Sequence, residues 1–380
     1  MKLSRVGVIA GLLASAVALA ACSSSKSNNT SGGTTTPAGS STTASGASNA
    51  PTCSSGKLNA QGSTAQTNAI QKWIQDYQAA CTGATIVYNP TGSGAGVTGF
   101  NAGQNDFVGS DSALSTDPSK HEYADAQKRC GSAPMDLPMV VGPIAIAFKL
   151  NGVSKLVLNG PTIAKIFLGK ITTWNDAAIA QLNSGVTLPS TKISVIYRSD
   201  SSGTTQNFEK YLAATAPDVF TSTPDKDSSK AGFAGQGKAK SQGVSAAIAA
   251  TEGSIGYDEF SFAVAGGLQT ASIDNGGGPV DLSKDTASAA AQAATVNSSG
   301  PGDLSLKIDY ATKTPGAYPL ILVTYEIVCT KYSNAGVGSL VKNFLNYTAN
   351  GGQASLAQLG YAPLPSALQT QVQASVATIS

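Results

Sequence analysis

Three times in this sequence a short strand-like run breaks at a Gly/Ser/Thr turn and continues as a helical pattern. No other feature narrows the fold as far. Residues 57–60 read as a strand, Gly62-Ser63-Thr64 as its turn, and Ile70, Trp73, Ile74 and Tyr77 follow at helical spacing. Residues 84–88 lead in the same way through Gly92-Ser93-Gly94-Ala95-Gly96 to a short helix containing Val97 and Phe100. Residues 192–197 lead through Arg198 and Ser201-Ser202-Gly203-Thr204 to a helix through Tyr211. A further short strand at 106–109 stops at Ser110-Asp111, and helical patterns at 162–168 and around 176–182 flank Gly169. Strands alternating with helices predict an α/β fold with mostly parallel sheets.

Two longer apolar runs interrupt the alternation, at 137–150 with Pro138, Gly142 and Pro143, and at 318–328 with Pro319 near its start. Read together, they predict two extended segments that cross between lobes of discontinuous sequence. The alternative is that these prolines and Gly142 only punctuate edge strands or loops. The Gly- and Ser-rich stretches 231–242, 276–278 and 298–302 read as loops, and no repeat of solenoid period is present.

The N-terminus carries a targeting signal. Lys2 and Arg5 precede an apolar stretch over 6–19, too short for an ordinary span but suited to a signal peptide. It ends in Leu19-Ala20-Ala21-Cys22, which resembles the lipobox of bacterial lipoproteins. That resemblance implies cleavage after residue 21 and a lipid on Cys22. Residues 22–52 are almost entirely Ser, Thr, Gly, Ala and Asn, a composition that cannot repay the entropy of ordering and reads as a flexible tether. The protein is thus expected at the outer face of the cell membrane, held by its lipid alone.

Setting Cys22 aside leaves four cysteines, an even number in an exported chain, so two disulfides are expected. Four cysteines allow three pairings. Cys53 and Cys81 each sit just before a strand, so parallel neighbouring strands would bring them together, leaving Cys130 for Cys329. The chain has one histidine, His121, and no Cys-x-x-Cys, which argues against a metal or thiol-redox centre. His121 reads as a surface residue of a polar helix. A formal net charge of +2 without a basic block argues against nucleic acid as a partner.

The three turns share a chemistry. Each offers backbone N–H groups and hydroxyls at the positive end of a helix, the arrangement that binds anions, and α/β sheets bind ligands at the carboxyl ends of their strands. One such turn alone is an ordinary N-cap. Arg198 adds a charged planar fork, and Asp200 could orient it or merely cap a helix. A carboxylate at Asp111 would repel a bare anion but accept a proton from an anion that carries one. Phosphate near neutral pH does; sulfate does not, and would leave a buried acceptor unpaired.

These stretches, with Gly109-Ser110-Asp111-Ser112-Ala113-Leu114 and Arg198-Ser199-Asp200-Ser201-Ser202-Gly203-Thr204, resemble the motifs of the periplasmic phosphate-binding proteins of ABC transporters, the PstS family. The likeness is greatest to the mycobacterial lipoprotein branch. It continues through Ile166-Phe167-Leu168-Gly169-Lys170-Ile171-Thr172-Thr173-Trp174-Asn175-Asp176, Gly253-Ser254-Ile255-Gly256-Tyr257 and Tyr318-Pro319-Leu320-Ile321. The resemblance implies a two-lobed periplasmic-binding-protein fold of class II type, two mixed or mostly parallel sheets joined by hinge strands. Lobe I would comprise 53–141 and 323–380, and lobe II 142–322. It further implies that Ser63, Thr64, Ala65, Ser93, Asp111, Arg198, Ser202, Gly203 and Thr204 hold inorganic phosphate, with Asp200 orienting Arg198. Ala65 departs from the residue that relatives often carry there, which leaves only the packing at that point in doubt. The implied partners are phosphate and the permease subunits and ATPase of an ABC transporter, with no cofactor, the protein acting as a monomer.

Besides a surface protein that keeps the fold for an adhesive or sensory role, two other readings compete. One is the same fold serving another oxyanion, against which Asp111 argues. The other is an exported enzyme using the same site. Gly232-Phe233-Ala234-Gly235-Gln236-Gly237-Lys238 follows most of a phosphate loop, but Ala239 stands where the metal-binding hydroxyl belongs.

Overall fold

Apolar strands that alternate with helices assemble into one mixed nine-stranded sheet in the computed structural model, which describes residues 50–380. The signal peptide, Cys22 and nearly all of the tether lie outside the described residues. The strands are β1 (Gly56–Gly62), β2 (Ala84–Pro90), β3 (Phe107–Ser110), β4 (Pro134–Lys149), β5 (Ser194–Arg198), β6 (Gln236–Lys238), β7 (Ser254–Glu259), β8 (Gln269–Thr270) and β9 (Ile321–Cys329). Their order is β2-β1-β3-β9-β4-β7-β5-β6, with β8 beside β4. The pairs β1–β2, β1–β3, β5–β6 and β5–β7 are parallel, as the alternation predicts; β4 and β9 run antiparallel to their neighbours.

The two long apolar runs form the middle of this sheet. Every residue of β9, and every residue of β4 except Lys149, is buried, which explains why neither shows the alternation of a half-exposed strand. β4 changes partner along its length. Residues up to Pro143 pair with β9, and residues from Ile144 to Lys149 pair with β7. Pro138, which has no N–H to give, sits where the β4–β9 register slips, between Thr324 and Tyr325.

Helices cover the sheet: α1 (Thr67–Ala80), α2 (Ser93–Asn101), α3 (Glu122–Cys130), α4 (Gly160–Phe167), α5 (Ala177–Leu182), α6 (Gly203–Thr215) and α7 (Lys240–Ala250), with later ones including Ala335–Ala349. α1 buries Ala69, Ile70, Trp73 and Tyr77, and the Trp73 indole N–H donates to the Gly352 carbonyl at 2.8 Å. Losing this one side chain would cost about 3–5 kcal/mol. In the other half Phe167, Phe208, Phe233 and Tyr257 cluster, with Phe208 stacked on Tyr257 at 4.3 Å.

Two expectations need correction. The turn before α1 is longer than the Gly62-Ser63-Thr64 expected: residues 63–66 precede the helix, which starts at Thr67. Residues 231–242 are not all loop: they contain β6 and the start of α7. The inner face of α7 carries Ser241, Val244, Ser245 and Ile248, and two serines among four buried positions leave little apolar periodicity to read.

Parallel β1 and β2 start side by side at Gly56 and Ala84, and Cys53 is bonded to Cys81 just ahead of them. Cys130, at the end of α3, is bonded to Cys329, the last residue of β9. His121 is exposed at the N-cap of α3.

Candidate functional site

The three turns converge where the strands end. Ser63 and Thr64 follow β1, Ser93 opens α2, Asp111 follows β3, Arg198 ends β5, and Ser202, Gly203 and Thr204 open α6. All of these residues are buried, Arg198 at 1% exposure and Asp111 at 2%. Ala65, also buried, gives its N–H to the Ser63 hydroxyl at 3.1 Å.

Asp111 is the hub. Oδ1 accepts from the Ser63 hydroxyl and from the Thr324 hydroxyl at 2.8 Å. Oδ2 accepts from the hydroxyls of Ser93 and Thr204, each at 3.3 Å. The Asp111 carbonyl accepts from the Asn207 amide at 2.6 Å, and that amide also donates to Gly203, one helical turn back along α6, at 2.8 Å. Burial pushes the Asp111 carboxyl above its ordinary value, while the Ser63 and Thr324 hydroxyls and the Arg198 charge pull the other way.

Arg198 is held from every side. Its Nε donates to Asp200 Oδ1 at 2.8 Å, Nη2 donates to Oδ2, and Nη1 donates to the Ser241 hydroxyl at 3.4 Å. Its backbone N–H donates to the Tyr257 hydroxyl at 3.1 Å, so the aromatic cluster fixes the end of β5. Burial works against the Arg198 charge, but Asp200 more than offsets it and the guanidinium value is raised. Burial likewise works against Asp200, yet Arg198 holds its carboxyl below the ordinary value. Breaking such a buried pair from one side is costly, because the other charge is stranded.

The halves of the sheet approach closely here. The Gly94 N–H donates to the Ser201 carbonyl at 3.1 Å, and a β-carbon on Gly94 would lie 1.9 Å from the Ser201 hydroxyl. Only glycine admits that approach. Among the described residues no group of three or more His, Cys, Asp or Glu could hold a metal ion. A buried set of hydroxyls and N–H groups, one fixed guanidinium and one carboxylate can recognise a small oxyanion that still carries a proton.

A profile described as the PBP superfamily domain matches residues 25–351. The chain is 44% identical over 387 residues to phosphate-binding protein PstS 3 of Mycobacterium tuberculosis, covering 100% of both chains. The chain belongs to the PstS family. PstS 2 of the same organism is 44% identical over 341 residues, which cover 89% of this chain and 91% of that one. In three dimensions the chain is similar to a high-affinity periplasmic phosphate-binding protein solved with phosphate, with a TM-score of 0.66 at 23% identity over 84% of this chain and 93% of that one. A phosphate-binding protein from Stenotrophomonas maltophilia gives a TM-score of 0.65 at 20% identity, covering 84% and 94%. The fold is thus the two-lobed α/β fold of the periplasmic binding proteins.

In this PstS-family chain the structure brings together all nine residues of the expected set, with Asp200 beside Arg198. Three participants were not foreseen. Thr324 sits inside the apolar run of β9, where a threonine hydroxyl ahead of Tyr325 and Glu326 in a fully buried strand was the only signal. Asn207 lies one helical turn beyond Gly203, a spacing that was readable. Ser241 was hidden in a segment read as loop.

Proposed function

We propose that this protein captures inorganic phosphate between its two lobes and delivers it to the permease and ATPase of an ABC transporter for import. The single observation that carries this reading is Asp111, a buried carboxylate ringed by four hydroxyls in a site whose fixed charge is Arg198. Ser93 and Thr204 reach Oδ2 only at 3.3 Å, so they are the hydroxyls best suited to turn toward an anion oxygen. Oδ2 then accepts the proton that phosphate retains. Arg198 supplies the charge, oriented by Asp200, and Ser63, Thr64, Ala65, Ser202, Gly203 and Thr204 complete the donor set. Sulfate brings no proton to Oδ2, and a like charge beside an unpaired buried acceptor opposes its entry.

The same reading divides the molecule into lobe I, residues 53–141 with 323–380, and lobe II, residues 142–322. The partner change of β4 after Pro143, opposite Ile321, supports a crossing close to those boundaries. Lipidation of Cys22, a tether over 22–52, and action as a monomer at the outer membrane face complete the proposal. A hydrolase is the weaker reading, because His121, the chain's one histidine, is exposed while the hydroxyls of the site are buried.

Equilibrium dialysis with labelled phosphate tests the proposal. Retention that excess unlabelled phosphate displaces and equal sulfate does not supports it; no retention, or equal displacement by sulfate, overturns it.

A further inference from the structure

The start of α7 touches the site twice, and neither contact follows from the turn motifs. The Lys240 N–H donates to Asp200 Oδ1 at 2.8 Å. To do so Lys240 adopts a φ of 65°, one of only two non-glycine residues with positive φ among the described residues. Backbone in that region costs about 1–3 kcal/mol and persists where its surroundings hold it. The next residue, Ser241, has no exposed surface. Its N–H donates to Thr64 Oγ1 at 3.2 Å, its hydroxyl lies 3.1 Å from the same atom, and its oxygen accepts from Arg198 Nη1 at 3.4 Å.

Donor and acceptor counting gives these contacts a direction. With Nη1 donating to Ser241 Oγ, the Ser241 proton must go elsewhere, and Thr64 Oγ1 is within reach. Asp258 is a second acceptor for the Ser241 hydroxyl: burial raises its carboxyl well above the ordinary value, while Arg198 and a hydrogen bond from Ser241 pull the other way. The Ser241 N–H, fixed by the backbone, makes Thr64 Oγ1 an acceptor on the α7 side, and with the Ser241 hydroxyl packed against the same oxygen the Thr64 proton is turned toward the site.

We infer that Ser241 is a positioning residue: it commits the Thr64 hydroxyl to donate to the bound anion and braces the free edge of the Arg198 guanidinium. In the proposed division Thr64 belongs to lobe I and Ser241 and Arg198 to lobe II, so the contact forms when the lobes close and slows release rather than speeding capture. The inference rests on the phosphate reading and deepens it.

Stopped-flow measurement of phosphate association and release tests it on the wild type, Ser241→Ala, Thr64→Val and the double variant. Ser241→Ala should release phosphate about tenfold faster, the scale of one lost hydrogen bond. Its association rate should stay within about twofold of wild type, as lost closed-state contacts act on release. Because Ser241 acts through Thr64, the double variant should release little faster than Thr64→Val alone. Wild-type release from Ser241→Ala, or fully additive effects, overturns the inference while the receptor reading stands. A wild type that binds no phosphate overturns the receptor reading, and this inference with it. Should Ser241→Ala not fold, Ser241→Cys, which keeps the volume with a weaker donor, is read against the same outcomes.

Discussion

Gly203 and Asp111 meet across the site so closely that a β-carbon on Gly203 would lie 2.7 Å from the Asp111 β-carbon and 2.8 Å from the Ser93 hydroxyl. The first residue of α6 is therefore fitted against the end of β3, and in the proposed division the two belong to different lobes, so the proposed closure would bring them together. Gly203→Ala should leave the melting temperature of the ligand-free protein within a few degrees, since the open form that the proposal requires would have room for the methyl group. Phosphate affinity should fall by at least about tenfold, the equivalent of 1.4 kcal/mol. Calorimetric affinity and thermal unfolding of the same variant check both halves.

Asp111→Asn separates recognition from stability. Folding raises the Asp111 value, chiefly through burial, so the carboxylate withholds stability as pH rises through that value and costs nothing below its unfolded value of 3.8. The asparagine variant should melt higher than wild type near pH 7.5, and the difference should vanish as pH falls below the unfolded value. Its preference for phosphate over sulfate should shrink by about tenfold or more, because the acceptor for the phosphate proton is impaired. Thermal melts across pH and competition dialysis are the two measurements.

Arg198 and Asp200 should not be equivalent. Arg198→Ala removes the site's charge and strands Asp200, and should weaken phosphate binding by about 2–5 kcal/mol. Asp200→Asn keeps the guanidinium and one acceptor for it, so its loss should be smaller, about 1 kcal/mol. Parallel titrations order the two; equal losses would mean that Asp200 does more than aim its neighbour.

Glu326 gives the fold a second pH signature. It is fully buried in β9, and burial pushes it up to about 8 from 4.5, with a hydrogen bond from Gln66 opposing and Asp111 adding to the rise. A raised folded value means its full contribution is present below the unfolded value and is lost as pH climbs through about 8. Glu326→Gln should therefore gain on wild type between pH 5 and 9, by several kcal/mol at the upper end. Urea unfolding at several pH values reads this directly.

What could be read from the residues alone followed the chemistry of contiguous stretches. Arg198 to Thr204 carries a guanidinium fork, the carboxylate paired with it and the α6 turn within seven positions, so this grouping was legible from the order of its residues. Asp111 was legible by contradiction, a carboxylate at the end of a strand among anion-binding turns. Thr324 was not, because its strand is buried on both faces and its hydroxyl meets Asp111 only through the β3–β9 pairing. Ser241 was not, because α7 has two serines on its buried face and begins on a left-handed lysine, which together erase both the apolar period and the start signal. The strand order around β4 and β9 was likewise invisible: two long apolar runs imply burial but do not name their neighbours.

Phosphate recognition through Asp111 is tested most directly by calorimetric titration of the chain from residue 50 onward, stripped of endogenous ligand, with phosphate and then with sulfate near neutral pH. One phosphate per chain should bind tightly. Sulfate should bind more weakly by at least about a thousandfold, the scale on which a site built around one buried hydrogen-bonding group rejects an analogue that lacks it. Comparable affinities for the two anions, or no heat with phosphate, would contradict it.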